Sequence, residues 1–119
     1  MKRPRYDFEK LEVYQKAMDF ADQIFEVTEN FPQRAQSSLG DQMRRAVLSI
    51  CNNIAEGSRK QSAARRQFYG YALDSARECV PMLELSLRRQ LVNADLYERL
   101  DESCFRIASM MFALLRAVR

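Results

Sequence analysis

The sequence predicts an all-α protein, folded as a single antiparallel, up-down-up-down four-helix bundle. Its 119 residues include three Gly and three Pro, too few for the turns of an all-β chain. Apolar residues recur at spacings of three and four along four segments, which is the period of a helix and not of a strand. Short polar links separate the segments, so consecutive helices are expected to run antiparallel.

The chain divides into a short basic arm, residues 1–6, and a bundle, residues 7–119. The four helices are expected at residues 8–30, 38–56, 62–91 and 95–118. Helix one ends at Phe31-Pro32, because a residue that precedes proline is pushed out of helical backbone. Pro81 lies inside the third helix, where the periodicity continues through it, so it is expected to kink that helix and not to end it.

Capping residues mark the other helix ends. Ser37 or Ser38 is the expected N-cap of helix two, because a serine oxygen can accept from a free backbone N–H there. Gly57 is expected just past the end of that helix, in the left-handed conformation that glycine tolerates. Ser62 is expected to cap helix three, and Asn93 or Asp95 to begin helix four.

Composition excludes several classes of enzyme. The chain has no His, which rules out Ser-His-Asp and Cys-His catalysis, Cys2His2 zinc sites and Glu-x-x-His di-iron sites. It also has no glycine-rich phosphate loop and no Ser-x-x-Lys motif. We therefore expect no enzymatic activity, no cofactor and no metal.

The location is expected to be cytoplasmic. The N-terminal segment MKRPRYDFEK is not followed by the apolar stretch of a secretory signal, and no apolar run is long enough to span a membrane. Cys51, Cys79 and Cys104 lie within apolar helical patterns and are read as buried thiols, not as a disulfide framework.

Helices one and four carry two apolar stripes each, more than one bundle corner needs. A surplus stripe would leave an exposed apolar patch, and such patches usually mark interfaces. We therefore expect a homo-oligomer. The alternative is a monomer whose core absorbs all these residues. The expected interface residues are Val13, Phe20, Ile24, Phe105, Phe112 and Leu115.

Four polar residues are expected to meet between helices two and three. Asn53 and Glu56 lie one turn apart, as do Ser75 and Glu78. A hydrogen-bonded network of these groups would fix the register of the two helices. A functional pocket is the alternative, but two carboxylates without further ligands make a poor metal site.

A basic cluster is the candidate nucleic-acid-binding site. Residues 57–70 contain four basic residues and no acidic one, and two more arginines precede them on helix two. Repeated around an oligomer, the cluster would attract RNA or DNA phosphates. Two tyrosines, Tyr69 and Tyr71, are near enough to suggest base stacking. The alternative is a solvated end with salt bridges between subunits. The cluster residues are Arg44, Arg45, Arg59, Lys60, Arg65 and Arg66.

Two motifs give a resemblance to a known family. Residues 42–57 read Q-x-R-R-A-x-x-S-I-x-x-N-I-A-E-G, and residues 72–78 read A-x-D-S-x-x-E. Phe8, Leu11 and Tyr14 precede them in the pattern F-x-x-L-x-V-Y. The chain thus resembles the bacterial four-helix-bundle family of 23S rRNA intervening-sequence proteins (S23-like), a group related to the accessory variability proteins of diversity-generating retroelements. It departs from the family pattern at Asp74, where glycine is usual, and at Pro81.

The resemblance implies a ring-shaped homopentamer, often with a basic surface, and no enzymatic activity. The retroelement relatives bind a reverse transcriptase and its RNA. We therefore expect a non-catalytic, homo-oligomeric bundle, with other copies of itself and RNA or DNA as partners and no membrane association. The alternative is a structural or protein-interaction module, such as a partner of a nucleic-acid enzyme, without direct nucleic-acid contact.

Overall fold

Four long helices dominate the structure, a computed structural model that describes residues 4–119. They are α1 (Glu12–Glu29), α2 (Asp41–Ser58), α3 (Ser62–Arg88) and α4 (Ala94–Ala117). Residues 4–119 contain no strand, and they fill 43 × 31 × 24 Å. The predicted all-α, four-helix architecture is confirmed. Lys2 and Arg3 of the predicted basic arm lie outside the described residues.

The predicted start of helix one at Phe8 is wrong. A short 3-10 turn, Asp7–Lys10, comes first, and Leu11 then has extended backbone before α1 begins. The Glu9 carboxylate accepts hydrogen bonds from the backbone N–H groups of Arg5 and Tyr6, at 3.0 and 2.9 Å. The end of the predicted arm is therefore fastened to the 3-10 turn.

The link between α1 and α2 is helical, so the predicted N-cap at Ser37 or Ser38 is wrong. One helical turn, Gln33–Ala35, continues into a wide π-helical turn, Gln36–Gly40, and this runs directly into α2. The N–H groups at the start of α2 thus already have carbonyl partners. Gln36 supports the turn, because its Nε2 donates to the carbonyl oxygens of Thr28 and Phe31, at 2.8 and 2.9 Å.

Gly57 lies inside α2 and not beyond its end. None of the glycines among the described residues has a positive φ, so the left-handed role predicted for Gly57 is wrong. The glycine is needed for space instead. A Cβ atom at this position would lie 2.6 Å from Cδ1 of Tyr69 on α3, closer than non-bonded carbon atoms approach.

The ends of α3 and α4 follow the predicted order with small shifts. Gln61, and not Ser62, is the N-cap of α3, and Ser62 has φ 51°. Pro81 lies on the exposed side of α3, which continues through it as predicted. At the far end Gln90 has φ 61°, which ends the helix before the predicted residue 91. Of the two residues expected to begin helix four, Asn93 and not Asp95 caps α4, accepting from the Leu96 N–H at 2.8 Å.

The α1 stripe that holds three of the expected interface residues is covered by the chain itself, which corrects half of the expected interface. Val13, Phe20 and Ile24 are only 1–2% exposed. Helix α1 packs against both α2 and α4, so a double stripe fits between two neighbours of one bundle. On α4 the second stripe does reach the surface: Phe105 and Phe112 are exposed.

Candidate functional site

One end of the bundle collects much of the chain's positive charge. The alternating helix directions bring together the start of α1, the end of α2, the start of α3 and the end of α4. Residues 5–12, 56–66 and 116–119 of this end hold eight basic and four acidic side chains. We call it the basic end. At the opposite end, residues 27–41 and 84–96 hold three basic and four acidic side chains.

Two arginines of the basic end bind helix termini. Nε and Nη2 of Arg65 donate to the carbonyl oxygens of Gly57 and Ser58, at 3.1 and 2.9 Å. Arg66 reaches the carbonyl oxygen of Val118 beyond the end of α4, at 3.3 Å. Cations at these positions satisfy terminal carbonyls and oppose the negative ends of the helix dipoles. Both residues therefore stabilise the fold as well as charging the surface.

Two further cations of this end, Arg59 and Lys60, share one carboxylate. Lys60 Nζ lies 3.4 Å and Arg59 Nη1 3.9 Å from the Glu56 oxygens. The Arg59 side chain is 71% exposed and the Lys60 side chain 42%. Two cations on one acid leave a net positive charge, and both side chains are in contact with water.

Arg44 and Arg45 do not belong to the basic end, so the predicted six-residue cluster is split. They lie at the start of α2, about 20 Å from Arg59 at 1.5 Å per residue. Arg44 donates to the side-chain and main-chain oxygens of Gln36, at 3.2 and 3.1 Å. Arg45 is exposed and pairs with Asp41 at 3.0 Å. Arg44 thus fastens the π-helical turn to α2.

The polar network between α2 and α3 has a different membership from the predicted one. The Oγ atoms of Ser49 and Ser75 are 2.8 Å apart, and Asn53 Nδ2 donates to the Ser49 oxygens at 2.9 and 3.0 Å. Glu56 lies outside the network with the cations of the basic end. Glu78 is exposed and makes no hydrogen bond or ion pair with any described residue.

Ser49 and Gln36 are the polar residues that the sequence reasoning missed. Ser49 precedes Asn53 by four residues, and Asn53 precedes Glu56 by three, so all three lie about one turn apart on the same side of the helix and a signal was present. No sequence signal pointed to Gln36, because its role depends on the π-helical turn that brings it against the end of α1.

The two tyrosines have separate environments. Tyr69 is buried, and its hydroxyl lies 2.9 Å from Ser58 Oγ, so its ring is not available for base stacking. Tyr71 is exposed and makes an edge contact with Phe68, with the ring centroids 5.9 Å apart. The stacking hypothesis therefore applies only to Tyr71.

All three cysteines are buried free thiols. Burial raises the pKa of Cys51 to about 11, because an anionic thiolate would lose its hydration there. A hydrogen bond to the neighbouring Cys104, reinforced by burial, raises the pKa of the Cys79 thiol. Raised pKa values keep Cys51 and Cys79 protonated and poorly nucleophilic at neutral pH.

Two of the three remaining predicted interface residues, Phe105 and Phe112, lie on one exposed surface. Phe105 and Phe112 of α4, with Val80 of α3, border a groove of about 520 Å³. Leu115 is half-buried against the core.

Over residues 4–119 no group of three or more Cys, Asp or Glu side chains is arranged to hold a metal ion, and no helix is long and apolar enough to cross a membrane.

Fold and surface together define a small all-helical bundle with one basic end and one exposed apolar face. The chain belongs to the family described as 23S rRNA-intervening sequence protein, whose sequence model matches residues 9–113. This confirms the resemblance to the intervening-sequence proteins, and the family description names no catalytic activity.

A solved structure supports the same grouping. The chain is similar to a protein of unknown function from the S23 ribosomal protein family of Bacteroides thetaiotaomicron, with 25% sequence identity and a TM-score of 0.81. The match covers 88% of this chain and 96% of that one. No curated protein sequence matches the chain.

Proposed function

We propose that this protein is a non-catalytic, self-assembling module whose basic end binds the phosphates of RNA or DNA. The observation that carries the proposal is the separation of charge along the bundle. The basic end has eight basic and four acidic side chains, whereas the opposite end has three basic and four acidic ones. Such an uneven field attracts polyanions to one end of the molecule.

Accessible cations at that end support the proposal. Arg59 and Lys60 extend into solvent around a single carboxylate. Arg65 and Arg66 bind uncharged carbonyl groups and not carboxylates, so they add to the same field. The family description refers to 23S rRNA, which is compatible with an RNA partner but names none.

Self-assembly is the second part of the proposal. Val80, Phe105 and Phe112 are exposed apolar side chains grouped on one face, and water contact with such a group is unfavourable. A homopentameric ring, as the family resemblance implies, would cover this face. It would also repeat the basic end on one rim and raise the field there. The free thiols of Cys51, Cys79 and Cys104 fit a reducing, cytoplasmic location.

Fluorescence anisotropy of a labelled RNA hairpin and a DNA duplex tests the binding. Wild type should bind in about 50 mM salt and lose most of its affinity by about 200 mM, since phosphate contacts release counterions. The double variant Arg59→Glu/Lys60→Glu should bind at least tenfold more weakly. Arg88→Glu/Arg89→Glu makes the same charge change at the opposite end and should bind nearly as wild type does. Equal losses in both variants, or no binding at low salt, would overturn the proposal.

One observation favours the alternative, a structural or protein-interaction module. Arg44, Arg65 and Arg66 each donate to carbonyl oxygens of their own chain, so three of the six candidate cations stabilise the fold. Under this alternative the protein assembles normally and ignores nucleic acid at low salt, an outcome the same titration detects.

A further inference from the structure

Two different surfaces lie on either side of helix α3, and the side chains of this chain cover neither of them completely. On its α4 side lie Val80, Phe105 and Phe112, which are 45%, 67% and 46% exposed; we call them the aromatic face. On its α2 side lies a cleft of about 290 Å³. Ser75 and Val80 are five residues apart on the helix, so the two surfaces point about 140° apart.

Seven residues line the cleft: Gln42, Arg45, Ala46 and Ser49 of α2 and Ser75, Glu78 and Met82 of α3. Three of them, Ala46, Ser49 and Ser75, have small side chains, and we call the site the small-residue cleft. A cavity of about 150 Å³ is large enough to bind benzene, so the cleft has space for an aromatic ring. All of the lining residues except Met82 belong to the two sequence motifs.

Each surface also carries one acid and one base. Glu78 and Arg45 line the cleft, and Arg77 and Asp101 line the groove beside the aromatic face. Glu78, Arg77 and Asp101 have no ion pair within the described chain, and Arg45 pairs only with Asp41 on its own helix. Two opposite surfaces of one molecule thus offer complementary charges.

The cleft and the aromatic face lie at similar positions along the bundle axis. The Ser49–Ser75 contact, 2.8 Å, sets the level of the cleft on α2 and α3. Cys104 Sγ donates to the carbonyl oxygen of Ala76 at 3.2 Å, which sets the level of α4 against α3. At 1.5 Å per residue, Phe105 therefore lies within about 3 Å of the level of the cleft.

The charged groups also match in height. Helices α2 and α4 both run opposite to α3, so residues that precede Ser49 and Cys104 lie on the same side of the cleft as those that follow Ser75. Arg45 and Asp101 are then about 6 Å beyond the cleft, and Glu78 and Arg77 about 3–5 Å beyond it. Copies related by rotation about an axis parallel to the bundle meet at equal heights, so opposite charges would face each other.

We propose that the aromatic face of one copy docks on the small-residue cleft of the next copy, with Phe105 in the cleft. Glu78 of one copy faces Arg77 of the next, and Arg45 faces Asp101. The contact is heterologous, because each copy uses a different surface toward each neighbour, and such contacts close into rings when the rotation permits. This inference rests on the self-assembly in the proposed function and specifies how it occurs.

A mixing experiment tests the pairing. Phe105→Glu destroys the aromatic face and leaves the cleft intact, whereas Ala46→Glu blocks the cleft and leaves the aromatic face intact. Each variant alone should be monomeric by light scattering at concentrations where wild type is oligomeric. An equimolar mixture should form a 1:1 dimer, since one intact surface of each kind remains. Met18→Glu, at an exposed apolar residue of α1, is the matched control and should stay oligomeric.

A charge exchange gives a second test that leaves the apolar surfaces unchanged. Glu78→Arg should weaken the oligomer, and adding Arg77→Glu to the same chain should restore it, because the contact between copies is reversed in sign. Both residues are exposed, so folding is unaffected.

The outcomes separate the inference from the proposal on which it rests. A monomeric wild type would overturn self-assembly and the docking contact together. An oligomeric wild type whose two single variants also stay oligomeric, or whose mixture yields no dimer, would overturn the docking contact alone. Failure of Arg77→Glu to restore the Glu78→Arg oligomer would overturn the charge pairing.

Discussion

Gly57 of α2 and the ring of Tyr69 of α3 are in direct contact, and a Cβ atom at position 57 would lie 2.6 and 2.8 Å from two ring carbons. The ring has little freedom to move away. It is buried, and its hydroxyl lies 2.9 Å from Ser58 Oγ. The contact joins the two helices at the basic end.

Gly57→Ala should therefore destabilise the protein although alanine favours helix. Overpacking of this kind costs about 1–3 kcal/mol, whereas the gain in helix propensity is at most about 1 kcal/mol. Gly70→Ala is the control, because a Cβ at that position meets nothing within 4 Å; it should stabilise the protein. Urea denaturation of both variants measures the difference, and equal shifts in the two would contradict the steric role of Gly57.

Arg65→Met should lower the free energy of unfolding by about 1–2 kcal/mol, because it removes two charged hydrogen bonds from the end of α2. Arg59→Met removes the same charge at an exposed side chain whose ion pair is 3.9 Å long, and should change stability by less than about 0.5 kcal/mol. Thermal or urea unfolding distinguishes them. A similar effect of both substitutions would show that charge alone, and not the cap, stabilises this end.

The Ser49–Ser75 contact should appear as a coupling energy in a double-mutant cycle. Each single change to alanine breaks the same hydrogen bond, so the double variant should be more stable than the sum of the single effects predicts, by about 0.5–1.5 kcal/mol. Urea unfolding of the three variants measures this. Additive effects would mean that the two hydroxyls act independently, with the Asn53 contacts alone holding Ser49.

Cys51 should make the protein less stable at high pH. Its thiol has a pKa of about 11 when folded and about 9 in its ordinary state, so the unfolded chain loses this proton first as the pH rises. The stabilisation that the protonated Cys51 thiol contributes is fully present below pH 9. It decreases by about 1.4 kcal/mol per pH unit between pH 9 and about pH 11. Relative to Cys51→Ala, wild type should therefore lose stability over that interval in urea unfolding at several pH values. Parallel curves for the two proteins would contradict the assignment.

Helix periodicity was enough to predict the four helices, and the effect of proline on the preceding residue was enough to predict the end of helix one at Phe31-Pro32. It did not reveal which neighbours a helix has. The two stripes of α1 looked like a surplus, but α1 packs against both α2 and α4, so Phe20 and Ile24 are core residues.

Predictions from short stretches of sequence also failed where contacts between residues distant in sequence determine a residue's role. Gly57 matches a helix-end glycine, but the reason for it is the ring of Tyr69, twelve residues later. The candidate cations were selected by charge alone. Charge density cannot show that Arg44 and Arg65 donate to nearby carbonyl oxygens, because those bonds depend on how the links fold back.

Light scattering on a sizing column, with and without a structured RNA, at low and high salt, tests the central claim most directly. The account predicts a free mass several times the 13.9 kDa of one chain, near fivefold for a pentamer, and an RNA-bound species that disappears at high salt. A monomer that elutes apart from RNA at low salt would contradict it.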